Sequence, residues 1–171
     1  MGYQQNTNFS KRPNDEALKE ENKLRAGIEW AYKHPKSPND EALKEENKLR
    51  EKEVCIKEWI QEGATKELPD FAEEMGCAMA KYKLTNSQIR NVYCEIKRIQ
   101  MGGFEKEKAS FFLLRPKVAY AYGRNPGNNG LKLFKKVFEK AYNYVNDEKS
   151  YINFCNLMEA ILAYHKANNG Q

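Results

Sequence analysis

Apolar residues recur every three or four positions along most of this chain, a spacing that places them on one face of an α-helix. Residues 131–145 show the pattern clearly, with lysines between the apolar positions. The predicted inward residues there are Leu131, Phe134, Phe138, Ala141 and Val145, and the largely outward ones are Lys132, Lys135, Lys136 and Lys140. No segment shows the convincing alternation of a half-buried strand. The pattern predicts an all-α fold, a compact helical bundle of about five to six helices with an N-terminal helical extension.

Glycine and proline mark the predicted helix ends before residue 83. Val54, Trp59 and Ile60 begin an apolar face that runs to Gly63, which we expect to cap that helix at its C-terminus. Pro69 is expected at the first position of the next helix. The residues predicted to pack inward from that helix are Phe71, Met75, Ala78, Met79 and Tyr82.

The boundary at residues 84–89 carries the strongest local signal. Thr85 and Gln88 have the spacing of a capping box. Leu84 and Ile89 have the spacing of a hydrophobic staple. The helix that starts there is predicted to end at the glycine pair 102–103, and its predicted apolar positions are Ile89, Tyr93, Ile96 and Ile99.

Proline and aspartate organise the C-terminal part of the chain. A predicted helix over residues 105–123 contains Pro116, which either kinks it or divides it in two. Residues 124–130, RNPGNNG, have the composition of a loop. Asp147 is expected to cap the last helix. The predicted core positions of that helix are Phe154, Met158, Ile161 and Leu162.

A near-identical repeat occupies the start of the chain. Residues 11–25, KRPNDEALKEENKLR, recur at 36–50 as KSPNDEALKEENKLR with one difference in fifteen positions. Asn14 and Asn39 are expected to be N-caps. The copies contain few apolar residues, so we expect mostly solvated helices in which Glu45 and Glu46 face water. We therefore divide the chain into an acidic helical extension, residues 1–51 with the repeat at 13–25 and 38–50, and an all-α domain, residues 52–171.

Charge divides along the chain as well. Residues 1–74 carry 13 Lys and Arg against 17 Asp and Glu, whereas residues 75–171 carry 16 against 7, a net charge of +9. Such an excess suits a polyanion, and a phosphate backbone is the usual partner. The alternative is a soluble helical protein whose lysines face water.

Catalytic and metal-binding patterns are missing from the sequence. Four cysteines stand far apart with no CxxC pair and no neighbouring histidine, so we expect buried free thiols at Cys55, Cys77, Cys94 and Cys155. His165 is interpreted as a packed imidazole or as a cation at a helix C-terminus. We therefore predict a protein that is not an enzyme and that holds no metal and no cofactor. No apolar run approaches the ~20 residues of a membrane span, which favours a cytoplasmic protein without membrane contact.

Basic residues recur on two predicted helices. Arg90 and Lys97 are seven positions apart and share a face. Lys117, Tyr120 or Ala121, and Arg124 form one ridge, to which Arg115 adds. Cations placed in this way can contact phosphates along a strand, and Tyr120 or Tyr122 can stack on a sugar or base. The alternatives are that at least one of the two tyrosines is a core residue, and that Arg90 pairs with Glu95 or with another helix.

Three segments of the chain together resemble a known family. They read LTNSQIRNVYCEIKRIQ (84–100), LLRPKVAYAYGRN (113–125) and FCNLMEAILAYHK (154–166). Together they resemble the small subunit of the type III-A CRISPR effector, the Csm complex. The resemblance implies an all-helical, non-catalytic subunit that stacks in multiple copies and binds the guide RNA–target RNA backbone independently of sequence in antiviral defence. Its implied partners are the guide RNA and target RNA, the backbone and large Csm subunits, and copies of itself.

The resemblance also implies which residues contact RNA. Matching the motifs SQIR, LRPK and YGR, and adding one residue by face and one by its ring, gives Arg90, Lys97, Arg115, Lys117, Tyr120 and Arg124. The resemblance does not extend to the first fifty residues, so the role of the repeat is left open. Copy number, the oligomeric state of the isolated chain and the division of contacts between guide and target also stay open. The alternative functions are a helical adaptor whose basic face binds an acidic protein, and a free-standing nucleic-acid-binding protein.

Overall fold

The computed structural model describes residue 22 and residues 38–168, and all the regular structure in that part of the chain is helical. The prediction of an all-α fold is confirmed. The helices are α1 (Pro38–Glu51), α2 (Glu53–Gln61), α3 (Glu67–Lys81), α4 (Asn86–Gly102), α5 (Lys108–Phe112), α6 (Leu114–Gly123), α7 (Asn129–Tyr142) and α8 (Glu148–Ala167). Apart from Asn22, the first repeat copy, with its predicted cap Asn14, lies outside the described residues.

The chain divides into two compact units, residues 1–41 and residues 42–171. The larger unit contains the core, and the second repeat copy contributes Leu49 of α1 to it, with only 1% of that side chain exposed. The predicted division after residue 51 stays a prediction.

Helices α3 and α8 form the centre of the larger unit. α3 packs along α8, and α2, α4 and α7 surround this pair. Gly76 of α3 lets the two backbones approach closely, since a Cβ at this position would lie 2.6 Å from the backbone nitrogen of His165. A cluster of aromatic rings forms part of the core, and its members are Phe104, Phe111, Phe138, Tyr142, Tyr151 and Phe154.

The predicted inward positions are largely confirmed. Trp59, Ile60 and the predicted apolar residues of α3, α4, α7 and α8 are buried, with four exceptions. Those four are only partly buried, and they are Tyr82, Tyr93, Val145 and Leu162.

The local signals at helix ends are confirmed. Thr85 and Gln88 form the capping box of α4, and the Thr85 backbone N–H donates to Gln88 Oε1 at 2.8 Å. The Asp147 carboxylate caps α8 by accepting from the Ser150 backbone N–H at 2.7 Å. Gly63 follows α2 with φ of +125°, a conformation that glycine adopts without strain.

Several predicted helix boundaries need correction. α3 begins at Glu67, so Pro69 lies inside its first turn, where its missing N–H costs nothing. α1 begins at Pro38, which places Asn39 inside the helix instead of at its cap. The predicted helix over 105–123 is two helices that meet at Leu113, and Pro116 lies in the first turn of the second. Of the two predicted outcomes, a kink or a division, the segment shows the division.

The burial of three groups was predicted wrongly. Val54 is 76% exposed, because its position on α2 falls outside the face that Ile56, Trp59 and Ile60 bury. Glu45 and Glu46 are not solvated, since each carboxylate side chain is only 14% exposed in ion pairs with lysines. Among the cysteines only Cys155 is buried, whereas Cys94 is exposed and Cys55 and Cys77 are intermediate.

Candidate nucleic-acid interface

Helices α4 and α6 border a groove with a volume of about 1060 Å³. Both helices are anchored from below by buried apolar residues, Ile89, Val92 and Ile96 on α4 and Leu114 and Val118 on α6. The faces beside these anchors point to the groove, and Val92 belongs both to the buried face and to the groove lining. The residues that line it are Ser87, Gln88, Asn91, Val92, Cys94, Glu95, Leu113, Pro116, Lys117, Tyr120, Ala121, Arg124 and Asn125.

The α6 wall carries the basic ridge that the sequence predicted. Lys117, Tyr120 and Arg124 all line the groove because they recur at helical spacing. The Tyr120 side chain is 69% exposed, and the Arg124 guanidinium carbon lies 5.9 Å from the centroid of its ring. Tyr122, in contrast, is partly buried against the core. The prediction that at least one of these tyrosines packs inward is confirmed.

The α4 wall supplies polar groups that sequence reasoning missed. Ser87, Asn91 and Glu95 lie at spacings of four residues and turn the same face to the groove. The helical period would have placed these residues on one stripe. It could not have shown that the stripe faces α6.

Glu95 is the electrostatic centre of the groove. Its carboxylate pairs with Arg98 Nη2 at 2.9 Å and with Lys117 Nζ at 3.0 Å. The hydrogen bonds from Arg98 and then from Lys117 lower the pKa of Glu95 to about 2. Arg98 also pairs with Glu107 Oε1 at 3.0 Å, so this arginine spans two carboxylates. Glu95 is therefore a fixed anion at neutral pH, in contact with Lys117.

Comparison with known protein families identifies the family of this chain. The family model for Csm2, type III-A, matches residues 62–171. The chain belongs to the Csm2 type III-A family. The protein is thus a small subunit of the type III-A Csm complex, and the family is non-catalytic. No curated protein and no solved structure matches the chain.

The matched segment, called here the Csm2 region (residues 62–171), contains α3 to α8 and both walls of the groove. The match does not reach the repeat, in agreement with the extent of the resemblance seen in the sequence.

Three of the predicted RNA contacts in the Csm2 region lie outside the groove. Arg90 is exposed on α4 and has no ion pair among the described residues, so the alternative pairing with Glu95 is not formed there. Lys97 pairs with Glu159 of α8 at 3.1 Å. Arg115 is exposed on α6 but is not among the residues that line the groove. Burial raises the pKa of the Tyr142 hydroxyl, and the positive charge of Arg115 offsets part of that rise.

The lysines of α7 in the Csm2 region are held by acidic partners. Lys132 pairs with Glu46 of α1 at 2.9 Å, and Lys136 pairs with the same carboxylate. Lys140 pairs with Glu53 of α2. Lys132, Lys136 and Lys140 are half-buried instead of largely outward, because helices before the Csm2 region supply these carboxylates. Lys135 is half-buried as well and pairs within α7, with Glu139 at 2.8 Å. These lysines are therefore neutralised by carboxylates, as Lys117 of the groove is by Glu95.

His165 of the Csm2 region is a packed imidazole, which is the first of the two interpretations drawn from the sequence. It is fully buried, and its Nε2 lies 2.8 Å from the backbone oxygen of Leu84. Since a carbonyl oxygen can only accept, the N–H at Nε2 donates to Leu84. The ring fixes the last turn of α8 to the start of α4.

The described part of the Csm2 region offers no assembled metal site. No group of three or more His, Cys, Asp or Glu side chains that could hold a metal ion occurs among the described residues. Within the same residues, no helix has the length and apolar character needed to cross a membrane. The groove instead combines cations, an exposed ring and uncharged polar groups, which suits noncovalent contact with an anionic polymer.

Proposed function

We propose that this small subunit binds RNA through the groove between α4 and α6. Lys117 and Arg124 contact phosphates, and Tyr120 contacts a sugar or base. The observation that carries the proposal is the basic ridge with an exposed aromatic ring on one wall of an open groove. The proposed partners of the groove are the guide and target RNA strands within the cytoplasmic Csm complex.

The spacing of the two cations supports contact with a strand. Lys117 and Arg124 are seven residues apart, which is about 10 Å along the helix axis. Contacts to phosphates position a protein on a nucleic acid without reading its sequence. Sequence independence is what an RNA-guided complex requires, because base pairing with the guide supplies the specificity.

The remaining predicted contacts extend this surface. Arg90, Lys97 and Arg115 stay predicted RNA contacts, on faces of α4 and α6 next to the groove walls. Lys97 would first have to leave Glu159. We further propose that several copies stack along the guide–target RNA beside the backbone and large subunits, and that the chain itself has no catalytic activity.

Removing the groove cations should weaken RNA binding uniformly. We expect the double variant Lys117→Ala/Arg124→Ala to bind two unrelated RNAs more weakly by the same factor. The slope of log affinity against log salt should become shallower by roughly 1.4–1.8, because two phosphates are no longer neutralised and each accounts for about 0.7–0.9. Fluorescence anisotropy over a salt series measures both quantities, with the full chain and with the assembled complex.

The matched control for this experiment is Lys57→Ala, which removes an exposed lysine from α2. It should leave the affinity and the salt slope close to those of the wild type. If the double variant also keeps both in the isolated chain and in the complex, the groove does not bind RNA. Binding of an acidic protein partner would then be the better account of the basic ridge.

Removing the internal anion should strengthen RNA binding. Glu95→Gln frees Lys117 and Arg98 from a carboxylate that competes with phosphate. We expect tighter binding, with a salt slope steeper by roughly 0.7–0.9 for each additional phosphate that these cations neutralise. The same salt series measures this variant.

Glu105→Gln is the control, since Glu105 is exposed and pairs only loosely with Lys108 at 3.6 Å, outside the groove lining. It changes the net charge by the same amount. Equally tighter binding by both variants would mean that general charge, and not the groove, determines affinity.

A further inference from the structure

Phosphate contacts leave much of the groove unexplained. Lys117 and Arg124 are two of thirteen lining residues, and the others are apolar, aromatic or uncharged polar except for Glu95. A surface that held only a phosphate chain would need cations and backbone N–H groups. The remaining groups are those that contact a base.

The exposed ring of Tyr120 is the first of these groups. At 69% exposure it is among the most exposed large side chains in the described part of the chain, although its neighbour Tyr122 packs inward. Leu113, Pro116 and Ala121 supply apolar atoms to the same wall of the groove. An aromatic ring beside apolar side chains offers a stacking surface to any base, since every base has a π-face.

Two side-chain amides of the groove are the second kind of group that can contact a base. Asn91 lies on the α4 wall and Asn125 at the end of the α6 wall, and both are exposed. Neither side-chain amide has a hydrogen-bond partner within the described residues, whereas the amide of Gln88 is engaged by the Thr85 backbone. Each asparagine presents both donors and an acceptor, so each can pair with the edge of different bases.

Two cations flank the exposed ring of Tyr120. Lys117 and Arg124 are on the same face as Tyr120, one on each side of it along α6. A ring between two cations matches a nucleotide, whose base lies between the phosphates on its two sides. The Arg124 guanidinium, 5.9 Å from the ring centroid, also lies within reach of a stacked base.

We propose that the groove takes one unpaired nucleotide of the bound RNA, with its base on the Tyr120 ring, its edge at Asn91 or Asn125, and its flanking phosphates at Lys117 and Arg124. The inference rests on the proposed RNA binding and adds that the substrate is an unstacked base. Bases within an A-form duplex are stacked on each other and cannot reach such a ring, so a continuous duplex would engage the cations alone.

Three RNAs separate base contact from phosphate contact. The first is a short single strand, the second is an abasic strand of the same length and charge, and the third is a blunt duplex. The wild-type chain should bind the strand with bases more tightly than the abasic strand by roughly 5- to 150-fold, from about 1–3 kcal/mol per stacked base. Tyr120→Ala should remove most of that difference, and Tyr120→Phe should retain it.

Tyr120→Ala should lower the affinity for the strand with bases by a larger factor than the affinity for the duplex or for the abasic strand, which offer no free base to the ring. Thermal melts of the wild type and Tyr120→Ala should agree, because the ring is mostly exposed. If Tyr120→Ala keeps the preference for bases, or weakens binding of all three RNAs equally, the inference is wrong. Lys117→Ala keeps the two proposals apart. If that variant weakens all three RNAs, RNA binding by the groove stands even where base stacking fails, and if it weakens none, both fail.

Discussion

Ile96→Asp will unfold the larger unit under conditions in which the wild-type chain is folded. Ile96 is 1% exposed on the core side of α4, and the Tyr151 hydroxyl donates to its backbone oxygen at 2.8 Å. An aspartate there would be a buried charge without a partner, and this kind of substitution costs about 4 kcal/mol or more. Such a loss is a large part of the ~5–15 kcal/mol that stabilises a typical domain.

Met101→Asp is the matched control, because Met101 lies on the same helix and is 81% exposed. Circular dichroism during thermal unfolding compares the two variants. Met101→Asp should keep the wild-type melting temperature to within a few degrees. A folded Ile96→Asp protein with an unchanged melting temperature would contradict the placement of α4 over the core.

Gly76→Leu should give the second-largest effect. A Cβ on Gly76 would lie 2.6 Å from the His165 backbone nitrogen and 2.7 Å from the Ile161 carbonyl oxygen. These are backbone atoms and cannot rotate away, so α3 and α8 would have to separate. Overpacking of this kind costs about 1–3 kcal/mol and more when the neighbours cannot yield. We expect a loss of at least about 3 kcal/mol, or roughly 6–12 °C in melting temperature.

Gly123→Leu provides the comparison at the end of α6, where a Cβ meets no atom within 4 Å. Differential scanning calorimetry of both variants gives the size of the effect. If both shift the melting temperature equally, the close contact of α3 and α8 has no special role.

The parts of the fold that the sequence predicted are those set by nearby residues. The Thr85–Gln88 capping box, the Asp147 cap and the glycine after α2 each act within a few positions. Each of these signals is therefore complete in the sequence, whatever the rest of the chain does. Proline was less informative, because Pro69 and Pro116 are both tolerated anywhere in a first turn.

Errors arose where distant residues decide the environment. Glu46 was expected in water because its own helix is polar, but Lys132 lies 86 positions later and pairs with it. Nothing in the local pattern of either helix contains this information.

The candidate site was likewise predicted only where neighbouring residues determine it. Helical spacing within one segment was enough to bring Lys117, Tyr120 and Arg124 together on α6. The opposite wall and the pairing of Lys117 with Glu95 depend on how α4 packs against α6, so the sequence did not predict them. Arg90 and Lys97 share the face that the sequence predicted, but that face is not the one that lines the groove.

Ultraviolet cross-linking of RNA to the assembled Csm complex, followed by mass spectrometry, tests the role of the groove most directly. Trypsin cuts after Lys117 and Arg124, which releases residues 118–124 with Tyr120 inside. The groove proposal predicts a nucleotide adduct on this peptide, located at Tyr120, and no adduct at Tyr120 in the Lys117→Ala/Arg124→Ala variant. Recovery of the wild-type peptide unmodified, with the RNA adducts of this subunit on other helices, would contradict it.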